Sequence, residues 1–463
     1  MRVEVKKLQC VSPVDQSVYA ERPLADSSEL ARALDRARTA QRAWRHVPLG
    51  DRIALLERLV DRLLERSAEI ATELSWQMGR PISQAPGELR GFAERARTML
   101  ALAPEALADL PLSEKPGFAR ALRREPVGVV LTIAAWNYPY LIAVNSVVPA
   151  LAAGNAVLLK HSAQTPLCAE RMVQAGREAG LPQGVFECLH MDHEVTRQAV
   201  GGVDFVAFTG SVEGGHSVTR AASDRFLGMG LELGGKDPAY VRADAPFEHS
   251  LDNLVDGAFF NSGQSCCGIE RIYVHRSLFQ RFVDGFVDRT KAYRLGHPLH
   301  PETTLGPVVK PSAARAILEQ VERALRAGAT ALIDPVHFPE ARPEAGYLAP
   351  QVLVDVDHSM DVMTEETFGP VVGIMAVDSD EEAVRRMNDS RYGLTASVWT
   401  RDVEAAWRIG EQVETGTFFM NRCDYLDPEL AWTGVKDTGR GCTLSRVGFE
   451  PLTRPKSYHL RLP

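Results

Sequence analysis

Between residues 118 and 210 the hydrophobic pattern changes period again and again, and that alternation leaves the chain few folds to choose from. After Pro116 the stretch FARALRREPVGVVLTI is strand-like. It gives way to an apolar helix-like segment ending at Gly154-Asn155, then to the short run AVLLK ending on Lys160. Thr165 to Ala179 reads as a helix stopped by Gly180-Leu181-Pro182, VFECL as a strand, HEVTRQAV as a helix and DFVAFTG as another strand. Alternating strands and helices predict an α/β fold with a parallel, doubly wound sheet.

A second alternation begins near Leu231. It runs through a helix from Ser250 to Asn261, the strand RIYVH, helices from Leu278 to Tyr293 and Pro311 to Ala327, strands near VLVDV and VVGIMAV, and a helix from Asp380 to Asn388. This predicts a second α/β domain, within the two or three domains expected of 463 residues that are 45% apolar. Ahead of both, Ile53, Leu56, Val60, Leu63, Ile70 and Leu74 recur at helical spacings among many Arg and Glu, which predicts amphipathic helices between Glu29 and about Leu110. The Pro/Glu-rich loop from Pro335 to Pro350 is expected to be exposed. The tail from Gly448 to Pro463 is too short for a domain and ends in a strand-like SYHLRL. Its unpaired backbone groups predict pairing with another subunit's sheet.

The formal net charge is -8 and no Lys/Arg run could track a phosphate backbone, which argues against nucleic acid as a partner and for a small molecule. The N-terminus MRVEVKKLQC lacks the apolar stretch of about 7–15 residues that a secretory signal carries. The most apolar region, Val127 to Lys160, is interrupted by Asn137, Pro139, Asn145, Pro149 and Asn155, so no membrane span is expected. Seven cysteines without C-x-x-C or zinc-type His/Cys spacing predict reduced, cytoplasmic usage and no metal site. Cys10, Cys168, Cys188 and Cys442 read as small buried hydrophobes.

Four segments carry chemistry. Phe259 to Cys267, FFNSGQSCC, puts two adjacent cysteines after a Gly-Gln turn; this suggests a thiol in a loop next to a helix end, where backbone N–H groups stabilise a thiolate, or two core cysteines. In LELGGK, residues 231–236, Glu232 stands alone in an apolar strand. It is either a general base with a raised pKa or a strand-end carboxylate facing water. In AWNYP, residues 135–139, Asn137 is either a donor to a developing oxyanion or a turn residue ahead of Pro139. In FTGSVEGG, residues 208–215, Gly210 and Gly215 follow a strand and open a helix, a loop able to bring backbone N–H groups to a pyrophosphate. No G-x-G-x-x-G is present.

In order, WN-x-P, PALAAGN-x-x-x-L-K, FTGS, ELGGK, GQ-x-C and E-E-x-FGPV closely resemble the aldehyde dehydrogenase superfamily from about residue 10 onward. The resemblance implies a dinucleotide-binding domain over 1–114 and 127–231, a catalytic domain over 232–440, and a small oligomerisation β-arm over 115–126 and 441–463, assembled as a homodimer or homotetramer. It implies that Cys266 is the nucleophile with Cys267 as a modulating neighbour, that Asn137 and the Cys266 N–H form the oxyanion hole, and that Glu232 activates water to hydrolyse a thioester. It sets NAD or NADP against Lys160 at the adenosine ribose, Trp136 and Ser211 near the phosphates, and Glu366 and Phe368 at the nicotinamide ribose and ring. Gly210, Gly215, Gly234 and Gly235 leave it room.

Three positions depart from the family's pattern. Ala163 stands where many NAD-preferring members carry Glu, so NADP is expected to be accepted. Gly441 follows the G-R of KDTGRGC where many carry Glu, leaving Glu232 and water to move the proton. Asn145 stands where carboxylate-semialdehyde members place Arg, which argues against succinic semialdehyde; Arg422 either replaces that Arg or pairs with Asp424. Tyr138, Leu141, Phe260, Leu426 and Trp432 predict an aromatic and aliphatic tunnel suited to an uncharged aldehyde of moderate size. Two other readings compete: a CoA-acylating dehydrogenase, against which Glu232 counts, and a catalytically silent binding protein on the same scaffold.

Overall fold

A computed structural model describes residues 6–463 of the chain. A short hairpin of β1 (Lys7–Val11) and β2 (Val18–Pro23) precedes four helices: α1 (Ser27–Trp44), α2 (Leu49–Leu64), α3 (Ser67–Met78) and α4 (Pro86–Ala106). The helical spacing has its expected effect: Leu56, Leu59, Val60 and Leu63 of α2 are fully buried, each stabilising the fold by roughly 1.5–3 kcal/mol relative to exposure. Asp26 starts α1 by accepting a hydrogen bond from the Glu29 N–H. Gly79 ends α3 in the left-handed conformation, φ 81°. The buried face of α4 carries charge among its apolar residues: Glu88, Phe92, Arg95 and Met99 all lie on it.

The stretch read as one strand after Pro116 is two, β3 (Phe118–Pro126) and β4 (Val129–Ala134), in different sheets. The chain turns between them at Gly128, whose φ of 137° is open only to glycine and whose Cβ would strike the Asp204 carboxylate. There follow α5 (Pro139–Ala152), β5 (Ala156–His161), α6 (Pro166–Glu178), β6 (Phe186–Cys188), α7 (His193–Gly202), β7 (Phe205–Thr209), α8 (Val212–Ala221) and β8 (Gly228–Glu232). The strands pair in parallel in the order β8-β7-β4-β5-β6. β4 is buried throughout, as a strand covered on both faces must be. The winding reverses between β4 and β7, which opens a crevice at their carboxyl ends.

The second sheet is built from β9 (Asp237–Val241), α9 (Phe247–Phe259), β10 (Ile269–His275), α10 (Phe279–Lys291), α11 (Pro311–Arg326), β11 (Thr330–Ala331), β12 (Gln351–Val354), α12 (Asp361–Thr364), β13 (Val371–Val377), α13 (Asp380–Asn388), β14 (Tyr392–Gly393), β15 (Thr395–Trp399), α14 (Val403–Gly410) and β16 (Thr417–Met420). Its order is β11-β12-β13-β10-β9-β15-β16, with β14 outside it. Side chains alternate between two cores, Ala239 and Val241 in one and Tyr240 in the other. The loop from Pro335 to Pro350 is not wholly exposed: Phe338 and Tyr347 are buried, and the Tyr347 hydroxyl donates to the Val14 carbonyl at 3.1 Å.

The chain then returns to the first sheet. β17 (Val435–Lys436) pairs with β14, and β18 (Gly439–Arg440) pairs antiparallel with β8, while Leu444, Phe449 and Leu452 join the core beneath α4 and α5. The last strand is β19 (Thr453–Arg461), and the partner of one of its edges lies within its own chain. It pairs antiparallel along its whole length with β3 of its own chain, from Thr453 opposite Pro126 to Arg461 opposite Phe118. This intrachain ladder satisfies one edge of the strand without a second subunit. Among the described residues no helix is long and apolar enough to cross a membrane.

Candidate functional site

The crevice at the strand ends is a cavity of about 660 Å³. Ala135, Trp136 and Asn137 enter it after β4, Thr209 to Ser211 after β7, Leu233 and Gly234 after β8, and Cys266, Glu366 and Phe368 from the second domain. The Ser211 hydroxyl accepts a hydrogen bond from the Gly214 N–H at 3.2 Å, capping α8 at the cavity. Gly234 has no room for a side chain, since a Cβ would lie 2.4 Å from the Glu366 carboxylate. That carboxyl accepts from the Gly235 N–H at 3.0 Å. Burial and the nearby Glu270 push it up to about 7.

Phe368 sits edge-on to Trp136, ring centroids 5.7 Å apart, at a φ of 53°. Glu270 holds that strained loop: its carboxylate accepts the N–H groups of Thr367 at 2.8 Å and Phe368 at 2.9 Å and is paired with the buried Lys236. Lys160, half-buried at the end of β5 without an ion pair, is not part of this cavity's wall, and burial lowers its pKa. Gly215 faces Leu233, 2.8 Å from its would-be Cβ, beside a separate hollow. Ala163 is exposed just beyond β5.

The cysteine loop follows the carboxyl end of α9. Asn261 and Ser262 are both left-handed, φ 54° and 58°, and Gly263 packs onto the Gly369 carbonyl where a Cβ could not fit. Side chains hold this turn: Arg80 donates to Asn261 at 3.2 Å, Ser262 to the Gly306 carbonyl at 2.8 Å, and Gln264 accepts from the Val309 N–H at 2.8 Å. The loop does lie next to a helix end, but the helix that runs into it is α9. That helix turns its carboxyl end to the loop, and the dipole of a carboxyl end opposes a negative charge. The neighbouring thiol and burial push Cys266 up, and the closeness of Cys266 brings Cys267, which also meets the Ser265 hydroxyl, down to about 7. The two thiols thus titrate as a coupled pair, in which loss of a proton from one opposes its loss from the other.

Cys266 lines a second cavity as well, of about 510 Å³, opposite the first. Tyr138, Leu141, Asn145, Cys267, Leu426 and Trp432 of the expected tunnel line it, whereas Phe260 belongs to the wider hollow outside, of about 1030 Å³. Glu232 is here too, at the end of β8, and does not face bulk water. Thr443 donates to one of its oxygens at 2.6 Å and Thr209 to the other at 3.3 Å, and burial raises its pKa. Behind it lies a hollow of about 620 Å³ that includes Gly441 and Cys442.

Asn137 is buried, its side-chain N–H donating to the Gln264 carbonyl at 3.2 Å. Its own carbonyl accepts from Asn261 and from Arg80, which is ion-paired with Glu88. Glu88 in turn accepts the N–H groups of Tyr140 at 2.9 Å and Leu141 at 3.1 Å, tying α4 to the start of α5. Asn137, Cys266 and Glu232 are thereby gathered around one junction between cavities.

Sequence reasoning missed Thr209, Thr443 and Arg95. Arg95 had a signal: a guanidinium on the same helical face as Phe92 and Met99. Arg422 takes neither role considered for it, lying instead over the Tyr425 ring at 3.5 Å from its centroid and making no ion pair with Asp424.

The sequence model of the aldehyde dehydrogenase family matches residues 2–458. Over 98% of this chain and 93% of the other, the sequence is 34% identical to a 3,6-anhydro-alpha-L-galactose dehydrogenase of Streptomyces coelicolor. The fold matches an NAD-dependent aldehyde dehydrogenase from Sinorhizobium meliloti with a TM-score of 0.94, 31% identity, and 99% and 92% of the two chains covered. It also matches betaine aldehyde dehydrogenase from Staphylococcus aureus in complex with NAD+, with a TM-score of 0.93, 28% identity, and 98% and 92% covered.

Proposed function

The chain belongs to the aldehyde dehydrogenase family and oxidises an aldehyde to the carboxylic acid with reduction of NAD(P), and we propose that Cys266, Asn137 and Glu232 carry out that reaction. The observation that carries this assignment is the position of Cys266 on the shared wall of two cavities, one lined by Glu366 and Phe368 and the other by Glu232.

The residues around the first cavity fit a dinucleotide. Gly234 lets the Glu366 carboxylate pack against its backbone at the cavity wall, where a methyl group would displace it, and the Ser211 cap sets the amino end of α8 at the cavity, where the helix dipole favours phosphate. Trp136, Gly210, Ser211, Gly234, Glu366 and Phe368 would hold it, with Lys160 and the exposed Ala163 toward the adenosine end; no carboxylate at Ala163 repels a 2′-phosphate. When bound, the nicotinamide supplies the hydride acceptor. The chain's own groups do the rest.

The Cys266 sulfur, as thiolate, adds to the aldehyde carbon, and the Asn137 side-chain N–H with the Cys266 backbone N–H receives the oxyanion. Loss of hydride leaves a thioester on Cys266. Glu232, whose raised pKa suits a base working near neutrality, takes a proton from water as the hydroxide attacks that thioester. The acid leaves and the thiolate is restored. Hydrolysis by a carboxylate already in the substrate cavity favours water over CoA as the acyl acceptor, so NAD(P)H production is expected to continue without CoA.

Cys266→Ala is expected to abolish turnover while dinucleotide binding, read by fluorescence, persists; Cys267→Ala is expected to keep an acyl-enzyme detectable by mass spectrometry. Residual turnover in Cys266→Ala would sink the assignment. The finer readings join this proposal: a cytoplasmic enzyme, in keeping with seven unpaired cysteines, and a homodimer or homotetramer joined through the β3–β19 ribbon, in which β19 pairs with β3 alone among the described residues.

A further inference from the structure

Two ionisable groups on different elements line the substrate cavity with bonding capacity that the fold leaves unused. Arg95, 9% exposed on the buried face of α4, donates through Nη1 to the Leu141 carbonyl at 2.7 Å and to Asn145 Oδ1 at 3.2 Å. Its Nε and Nη2 make no hydrogen bond among the described residues and are not sealed in the core, so they open onto the cavity. The Asp424 carboxyl likewise accepts no hydrogen bond and makes no ion pair among the described residues, although it lines the same inner cavity and the hollow outside it. The two do not serve each other: the charges acting on Arg95 are Glu88, Glu232 and the two thiols, and those acting on Asp424 are Cys267, Asp256 and Arg422.

A guanidinium edge and a carboxyl that line a cavity without a protein partner are free to bond a ligand that enters it, and a ligand that satisfies both is held best. An alkyl aldehyde satisfies neither. A carboxylate tail would suit the Arg95 fork but would be drawn into a space already shared by Asp424 and Glu232. A chain of hydroxyl groups suits both walls, since each hydroxyl accepts from Arg95 or exchanges a hydrogen bond with Asp424. Burial pushes Asp424 up to about 8, so near neutrality it offers a donor as well as an acceptor.

We propose that the substrate is a polyhydroxylated, sugar-type aldehyde whose hydroxyls bridge Arg95 and Asp424, Arg95 being the specificity-determining residue. This rests on the assignment of Cys266 and its cavity above, and it narrows the expectation of an uncharged aldehyde of moderate size. The Streptomyces relative, by its name, acts on a sugar derivative; the argument here rests on the two unpaired groups.

The test compares glyceraldehyde, propanal and succinic semialdehyde as substrates of the wild-type enzyme, Arg95→Met, Arg95→Lys and Asp424→Asn, with folding checked by thermal melting. Wild type is expected to favour glyceraldehyde over propanal in kcat/KM by about tenfold or more, as sites built to bond a hydroxyl do. Arg95→Met should collapse that ratio, chiefly through KM, and Arg95→Lys should restore part of it. A merely structural Arg95 would lower all three aldehydes together and leave the ratio intact, which overturns the proposal, as does a wild-type preference for propanal or succinic semialdehyde. Should wild type oxidise none of the three and form no acyl adduct on Cys266, the assignment of the site itself fails instead.

Discussion

Glu232 is the residue whose surroundings set the pH response. Burial raises its pKa, while the hydrogen bonds from Thr443 and Thr209 and the charge of Arg95 pull it back. A base works as the carboxylate, so thioester hydrolysis is lost as pH falls through that raised value and is complete above it. Thr443→Val removes the 2.6 Å hydrogen bond that stabilises the charged form. The acid limb of the kcat profile is therefore expected to move to higher pH by roughly one unit, the size of one hydrogen bond to a charge. A profile that stays in place would mean that Glu232 is not the base seen in kcat.

At the scale of elements, the junction between α4 and α5 decides where Asn137 sits. Glu88 is buried, neutralises Arg80 and caps the first N–H groups of α5, while Arg80 grips the Asn137 carbonyl. Glu88→Ala leaves a guanidinium buried without its counter-charge, which costs about 3–5 kcal/mol. A marked fall in the melting temperature is expected, and Glu88→Gln, which keeps an acceptor for α5, should lose less. The α9 turn is built on the same plan. Its left-handed Asn261 and Ser262 are held by Arg80 and the Gly306 carbonyl, so the reactive thiol is positioned by groups far off in sequence. The helix expected to run to Asn261 stops at Phe259: Asn261, Ser262 and Gly263 mark a turn locally, and tertiary hydrogen bonds fix where it begins.

For the whole molecule, the two-stranded ribbon of β3 and β19 is the element least explained by the monomer. A lone ribbon is marginal in water, and Leu460 and Leu462 are more than half exposed at its end. Sedimentation is expected to show a dimer or larger, and truncation after Leu452 should give a smaller species; a monomeric full-length chain would overturn the proposed assembly. The truncation also strips β3 of its ladder.

The sequence by itself determined the two parallel sheets, because period changes and buried apolar runs are local, and it singled out Cys266, Glu232, Asn137 and Glu366 because their motifs are contiguous. What only the tertiary structure decided depends on residues brought together across long separations. These include β19 laid on β3, the Thr443 and Thr209 hydroxyls on Glu232, the turn that leads from the carboxyl end of α9 to Cys266, and the arrival of Arg95 and Asp424 in the lining of one cavity. A charge on a helix face can be read from spacing. Whether it finds a partner or waits for a substrate depends on what folds against it.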